Sequence, residues 1–211
     1  MKRKCSVLAV AMFALLAISA AAVRAEDAPK DSADQVTVRA AAIAFADLLA
    51  DPDFAKAKSA FVGSQEQVEL AQHMHAVIHA RKKLVAAVLK AMPNEKPPQG
   101  DDLTVEGLKK RMARYEVTIS GDTATVGPDI KLSKTGGAWK VADIAANPNG
   151  RQVVTTLFPA MTAAMMEVIP DVEAGKFKTP KEMEQAMRPK MQAAMKALDE
   201  KMKAAATKPS K

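Results

Sequence analysis

The chain has 211 residues, with 31 basic against 24 acidic side chains, one cysteine (Cys5), one Trp and one Tyr. Because Cys5 is the single cysteine and lies near the start, the chain beyond it has no disulfide, no thiolate metal site and no cysteine nucleophile. Lys2, Arg3, Lys4 and Arg24 account for four units of the net +7; beyond residue 25, ten basic and four acidic residues from Lys176 onward leave the body at −3, and no basic run is interleaved with aromatics, which argues against nucleic-acid binding.

The first 25 residues read as a secretory signal peptide. A basic start is followed by an uncharged apolar run from Cys5 to Val23, then Val23-Arg24-Ala25 before Glu26. Small and branched residues there match what a signal peptidase reads, so cleavage is expected after Ala25, with Ala20-Ala21-Ala22 as a second possible site. The rival reading is an uncleaved anchor, since the run is about long enough to span a bilayer. Cys5 stands at the front of the run, the wrong place for a lipid-bearing cysteine. The predicted location is therefore exported, periplasmic or extracellular. An exported chain without disulfides must rely on core burial, and its length from residue 26 suffices for one sizeable core.

Residues 26 to 34 are polar. Ser32 or Asp34 can cap a helix over about 35–50, in which Val36, Ala40, Ile43, Ala44 and Leu48 recur at helical spacing. Asp51-Pro52 interrupts it, and a short helix over about 52–61 is closed by Gly63. Ser64 and Gln67 have the spacing of a capping box at the head of a long helix, about 65–92, with a stripe of Leu70, Met74, Val77/Ile78, Leu84/Val85 and Val88. Pro93 stops it, residues 94–102 read as a loop, and a short helix over about 105–113 follows.

Residues 115–144 carry the β signal. Tyr115, Val117 and Ile119 alternate with polar residues; Gly121-Asp122 turns the chain; Ala124 and Val126 alternate again. Gly127-Pro128 suggests a bulge or short connection, Ile130 and Leu132 resume, Gly136-Gly137 turns, and Trp139 and Val141 complete an antiparallel meander. Helix returns from 151 to about 168 and is predicted to end at Pro170. Thr179-Pro180-Lys181-Glu182 starts a last helix to about 206, with a kink or break expected at Pro189. The expected fold is α+β: a three- to four-stranded antiparallel meander, a reduced cone-like sheet packed by helices that outweigh it. Residues 33–147 form the α+β domain, and 150–206 a helical extension packing on the same core.

The helices followed by V-x-G-D-T-A-x-V and L-x-K-x-G-G-x-W-K-V (Val117, Gly121 to Ala124, Val126, then Leu132, Lys134, Gly136, Gly137, Trp139, Lys140, Val141) resemble the superfamily named for nuclear transport factor two, also called SnoaL-like or cystatin-like. The likeness covers about a third of the chain beyond residue 25, and many exported bacterial proteins of unknown role share it. It implies a curved sheet around a cone-shaped cavity, into which the enzymes among its members project Asp, His or Tyr. These matching residues are turn and core residues, so the likeness speaks for fold. Tyr115, Asp122 and Asp143 match no catalytic motif; Trp139 reads as a core anchor.

His73, His75 and His79 share one helical segment. His75 and His79, at i,i+4, are candidate metal ligands; position 76 is Ala, so the H-E-x-x-H pattern fails. On a wheel centred on the Leu70 stripe the three histidines diverge. Met183, Met187, Met191, Met195 and Met202 line one face of the last helix with Leu198. Such a row suits a core stripe, an adaptable docking face or soft Cu(I) ligation. The basic residues of that helix could touch an anionic membrane or an acidic partner, and a solvated lysine face is the simpler account.

No cofactor is implied and no catalytic constellation is present. Two readings stand: a non-enzymatic exported domain that binds a ligand or partner or serves the envelope, and a small-cavity isomerase, lyase or hydrolase of SnoaL-like type needing a general base in a pocket.

Overall fold

The computed structural model describes residues 31–95, 104–145 and 148–206, with side chains to residue 204. The signal segment with Ala25 and most of the 94–102 loop lie outside the described residues.

Helix α1, Ala33–Ala50, starts on a capping box: the Ser32 hydroxyl accepts from the Gln35 N–H, and the Gln35 side chain accepts from the Ser32 N–H. Its inward face, Val38, Ala42, Phe45, Ala46 and Leu49, is buried. Asp53 then caps the short α2, Phe54–Ser59. The long α3, Gln65–Ala91, has Ser64 before it, but Ser64 makes no side-chain cap bond. The expected capping box does not form there because Gln67 is buried and its oxygen accepts from the Ile144 N–H at 2.9 Å. Helix α4, Val105–Arg114, is capped by Thr104.

Four strands follow: β1 Val117–Ser120, β2 Thr123–Val126, β3 Ile130–Thr135 and β4 Ala138–Ile144. They form one antiparallel sheet in the order β1-β2-β3-β4. The fold is thus helix-dominated α+β. Gly127-Pro128 is the short connection between β2 and β3, and the bulge falls between β3 and β4. Lys131 pairs with Asp143 and Leu132 with Val141, which leaves Ala142 as the extra residue of a bulge. Tyr115 caps the C-terminus of α4 and precedes β1 instead of opening it.

Both outer strands are met at single points by other parts of the chain. The chain after α2 lies along β4 in parallel, with Val62 N–H donating to Val141 O at 3.0 Å and Val141 N–H to Ala60 O at 3.2 Å. At the other end α1 reaches over: the Gln35 amide donates to Val117 O at 2.7 Å, and Arg39 donates to the carbonyls of Met112, Ala113 and Tyr115 at 2.6 to 3.1 Å. The Arg39 guanidinium also grips Asp31 through two bonds of 2.5 and 2.9 Å. One cation so serves the carbonyl end of α4, where the helix dipole is negative, and the first residues before α1. Bare strand edges would otherwise present unpaired backbone groups to other chains.

Helix α5, Pro148–Glu173, runs through both Pro159 and Pro170. The predicted stop at Pro170 is displaced to a Schellman end, where Lys176 N–H donates to Asp171 O and Gly175 N–H to Val172 O, both at 3.0 Å, with Gly175 at φ +66°. Packing of α5 on α3 and on the last helix offsets the bonds the prolines lack. Helix α6, Pro180–Ala206, is unbroken at Pro189. Contacts of Arg151 with Glu66, Lys190 with Glu167 and Lys201 with Thr156 set α5 parallel to α3 and α6 antiparallel to α5. At 26 and 27 residues, α5 and α3 are each about 40 Å long.

The buried side chains form two clusters. The first joins α1, the sheet and the head of α3, through Phe45, Leu49, Leu70, Val126, Leu132, Val141 and Ile144; Phe45 meets Phe61 edge-on at 4.9 Å. The second joins the far half of α3 to α5 and the start of α6, through Val77, Leu84, Val88, Met165, Val172 and Met183. Phe158 touches both.

Candidate functional site

Among the described residues, the chemistry-bearing side chains outside simple surface pairs gather where α1 gives way to α2. Asp51-Pro52 ends α1 in an extended conformation; the Asp51 N–H closes the last turn on Leu48 O at 3.2 Å, and the carbonyls beyond it have no helical donor. The middle of α3 passes beneath them. His75 Nε2 donates to the Asp51 carbonyl at 2.8 Å, and the edge of Phe54 lies 5.3 Å from its ring. His79, one turn on, lies 4.2 Å from His75 between ring centroids, at an angle of 35°. Its Nε2 is buried and has no hydrogen-bond partner.

The i,i+4 pair therefore comes together, as its spacing led us to expect, although the wheel set both residues away from the buried stripe. That wheel assumed a single buried stripe. Helix α3 is covered on several sides, by α1, α2 and the sheet along its first half and by α5 throughout, so the side away from Leu70 is also inside the protein. No comparable contact ties His73 to the pair.

The electrostatics are uneven. Burial, and then the neighbouring His75, push the His79 pKa below its ordinary value, partly offset by the backbone carbonyls of Asp51 and Leu49. The Asp51 carboxylate faces α2: a hydrogen bond from Lys56 at 2.7 Å, followed by the Asp53 N–H, holds its pKa down. The Lys56 ammonium is raised in return by Asp51. No group of three or more His, Cys, Asp or Glu side chains is placed to share a metal among the described residues.

The space between sheet and helices, where a cavity enzyme would hold its reactive groups, is filled with the apolar side chains of the first cluster. Gln67 is the one buried polar side chain among the described residues, and its oxygen is taken by the Ile144 amide. Asp143 sits at the end of β4, facing Arg151 at 3.4 Å, while Arg151 also pairs with Glu66 at 2.9 Å. Tyr115 is half-buried against the turn at Gly127. Asp122 is exposed in its turn. Trp139 is half-buried beside the first cluster, with Lys134 at 5.8 Å from its ring. Of the methionine row, Met183 is fully buried and Met187 packs on the second cluster.

Sequence reasoning paired His75 with His79 but missed Asp51, Lys56 and Phe54 as their surroundings. The available signal was Asp51-Pro52 itself, which ends a helix with its carbonyls bare.

No protein-family model, no curated protein and no solved structure matches the chain.

Proposed function

We propose that this chain is an exported, non-enzymatic domain that acts through its surface, binding a partner or ligand or serving a structural part in the cell envelope. The observation that carries this reading is the filled interior between sheet and helices. A cofactor-free isomerase, lyase or hydrolase needs a general base within reach of a bound substrate. Here Phe45, Leu70, Leu132, Val141 and Ile144 occupy that volume, and Gln67 is already engaged. Support for export is the basic and apolar segment up to Ala25. The α5 helix is long and apolar enough to cross a membrane, with mean hydropathy 1.4. Its contacts with α3 and α6, and the burial of Val154, Leu157, Met165, Val168 and Val172, support reading it as a core helix.

Two measurements test the proposal. The full chain, expressed from its own start in a Gram-negative host, should be recovered by osmotic shock with a mass beginning at Glu26. Recovery of the uncleaved chain in the membrane fraction would replace export of a soluble domain with an anchored one. Incubation with a panel of small carbonyl and ester compounds, followed by mass spectrometry, should leave every compound unchanged. Turnover abolished by Asp143→Asn or Tyr115→Phe would replace the non-enzymatic reading with an enzymatic one.

A further inference from the structure

We propose that His75 and His79 form a two-imidazole site for a borderline divalent cation, Cu(II) or Zn(II), at the carbonyl end of α1. Imidazole is a preferred ligand of both ions, and side chains at i and i+4 lie on one side of a helix. The ring centroids are 4.2 Å apart, which puts the two imidazoles close enough to share one ion. Bonds of about 2.0 to 2.1 Å are what such an ion requires.

Two further features of the surroundings fit a cation. His75 donates its Nε2 proton to the Asp51 carbonyl, which leaves Nδ1 as its bare lone pair. A metal-bound histidine commonly donates its other N–H to a carbonyl in this way, which fixes tautomer and ring plane. His79 in turn has a buried Nε2 with no hydrogen-bond partner. The carbonyl end of α1 adds partial negative charge. With two protein ligands and no third His, Cys, Asp or Glu placed beside them among the described residues, water completes the coordination. Such a two-ligand site suits reversible capture of an ion rather than a permanent structural role. This inference does not depend on the non-enzymatic reading.

Untagged protein is titrated with Zn(II) and with Cu(II), followed by calorimetry and by the histidine 15N shifts. Saturable one-to-one binding is expected, with the resonances of His75 and His79 moving and those of His73 still. His75→Gln and His79→Gln should each weaken binding at least about tenfold, the scale of losing a ligand or its orienting partner. His73→Gln should leave it unchanged. Should the His75 variant fail to fold, His79→Gln, at a residue whose Nε2 has no hydrogen-bond partner, decides alone. Absence of saturable binding by either ion, or binding that survives His79→Gln, overturns the proposal. So does binding that is lost with His73→Gln.

Discussion

The Gln67 side chain accepts the Ile144 N–H at 2.9 Å across 77 residues of sequence, and so fastens the end of the sheet to the head of the long helix α3. Ile144 is itself 1% exposed, so its N–H has no water to turn to. Gln67→Leu keeps the volume and removes the acceptor. It should cost about 1–3 kcal/mol, the penalty for a buried donor left unpaired. Urea unfolding of the two proteins at neutral pH measures this; equal midpoints would show that the bond is dispensable.

Arg39 and Asp31 give the clearest dependence on pH. The hydrogen bond from Arg39 is the main cause that holds the Asp31 carboxyl below its usual value of 3.8. A carboxyl depressed in the folded state stabilises the protein above its unfolded pKa, and that contribution is lost as pH falls through the folded value. Asp31→Asn should therefore lower the melting temperature at pH 7. The gap to the parent protein should close below about pH 3. A gap that persists at low pH would mean the residue acts by packing instead of charge.

Gly127 sits at φ +59°, and a Cβ there would lie 2.6 Å from the Tyr115 ring, whereas Gly136 has the same φ and open space. Alanine at either position incurs about 1–2 kcal/mol of left-handed backbone strain. Gly127→Ala must also displace the ring, so it should unfold at clearly lower temperature than Gly136→Ala. Equal melting temperatures would show that Tyr115 yields freely.

Met183 is 0% exposed between α3 and α5, while Met166 is 43% exposed on α5. Met183→Ala should cost about 2–5 kcal/mol, and Met166→Ala should stay within about 0.5 kcal/mol of the parent. Guanidinium unfolding distinguishes them. A neutral Met183→Ala would show that α6 is not part of the core.

Where two residues on neighbouring turns or strands decide the structure, the sequence was enough. Gly121-Asp122, Gly127-Pro128 and Gly136-Gly137 between alternating runs mark the connections of the expected three- to four-stranded meander, which has four strands. Ser32, one of the two caps expected for the first helix, marks its start by local hydrogen bonding. What was not legible depends on partners far along the chain. Gln67 reads as a capping residue until Ile144 claims it. Pro170 reads as a stop until the flanking helices hold α5 together as far as Gly175. The histidine pair follows the same logic: spacing put His75 and His79 on one side of a helix, but only the return of the Asp51 carbonyl over α3 makes that side an interior one. The division of the interior into two clusters, with Phe158 between them, has no local signature at all.

The filled interior is tested most directly by methyl-labelled protein titrated with mixtures of small carbonyl and aromatic compounds. The account predicts that the methyl resonances of Leu70, Leu132, Val141 and Ile144, and the Gln67 side-chain amide, keep their positions at every concentration. A saturable shift of these methyls together with the Gln67 amide would show a cavity that opens to ligands, and would contradict it.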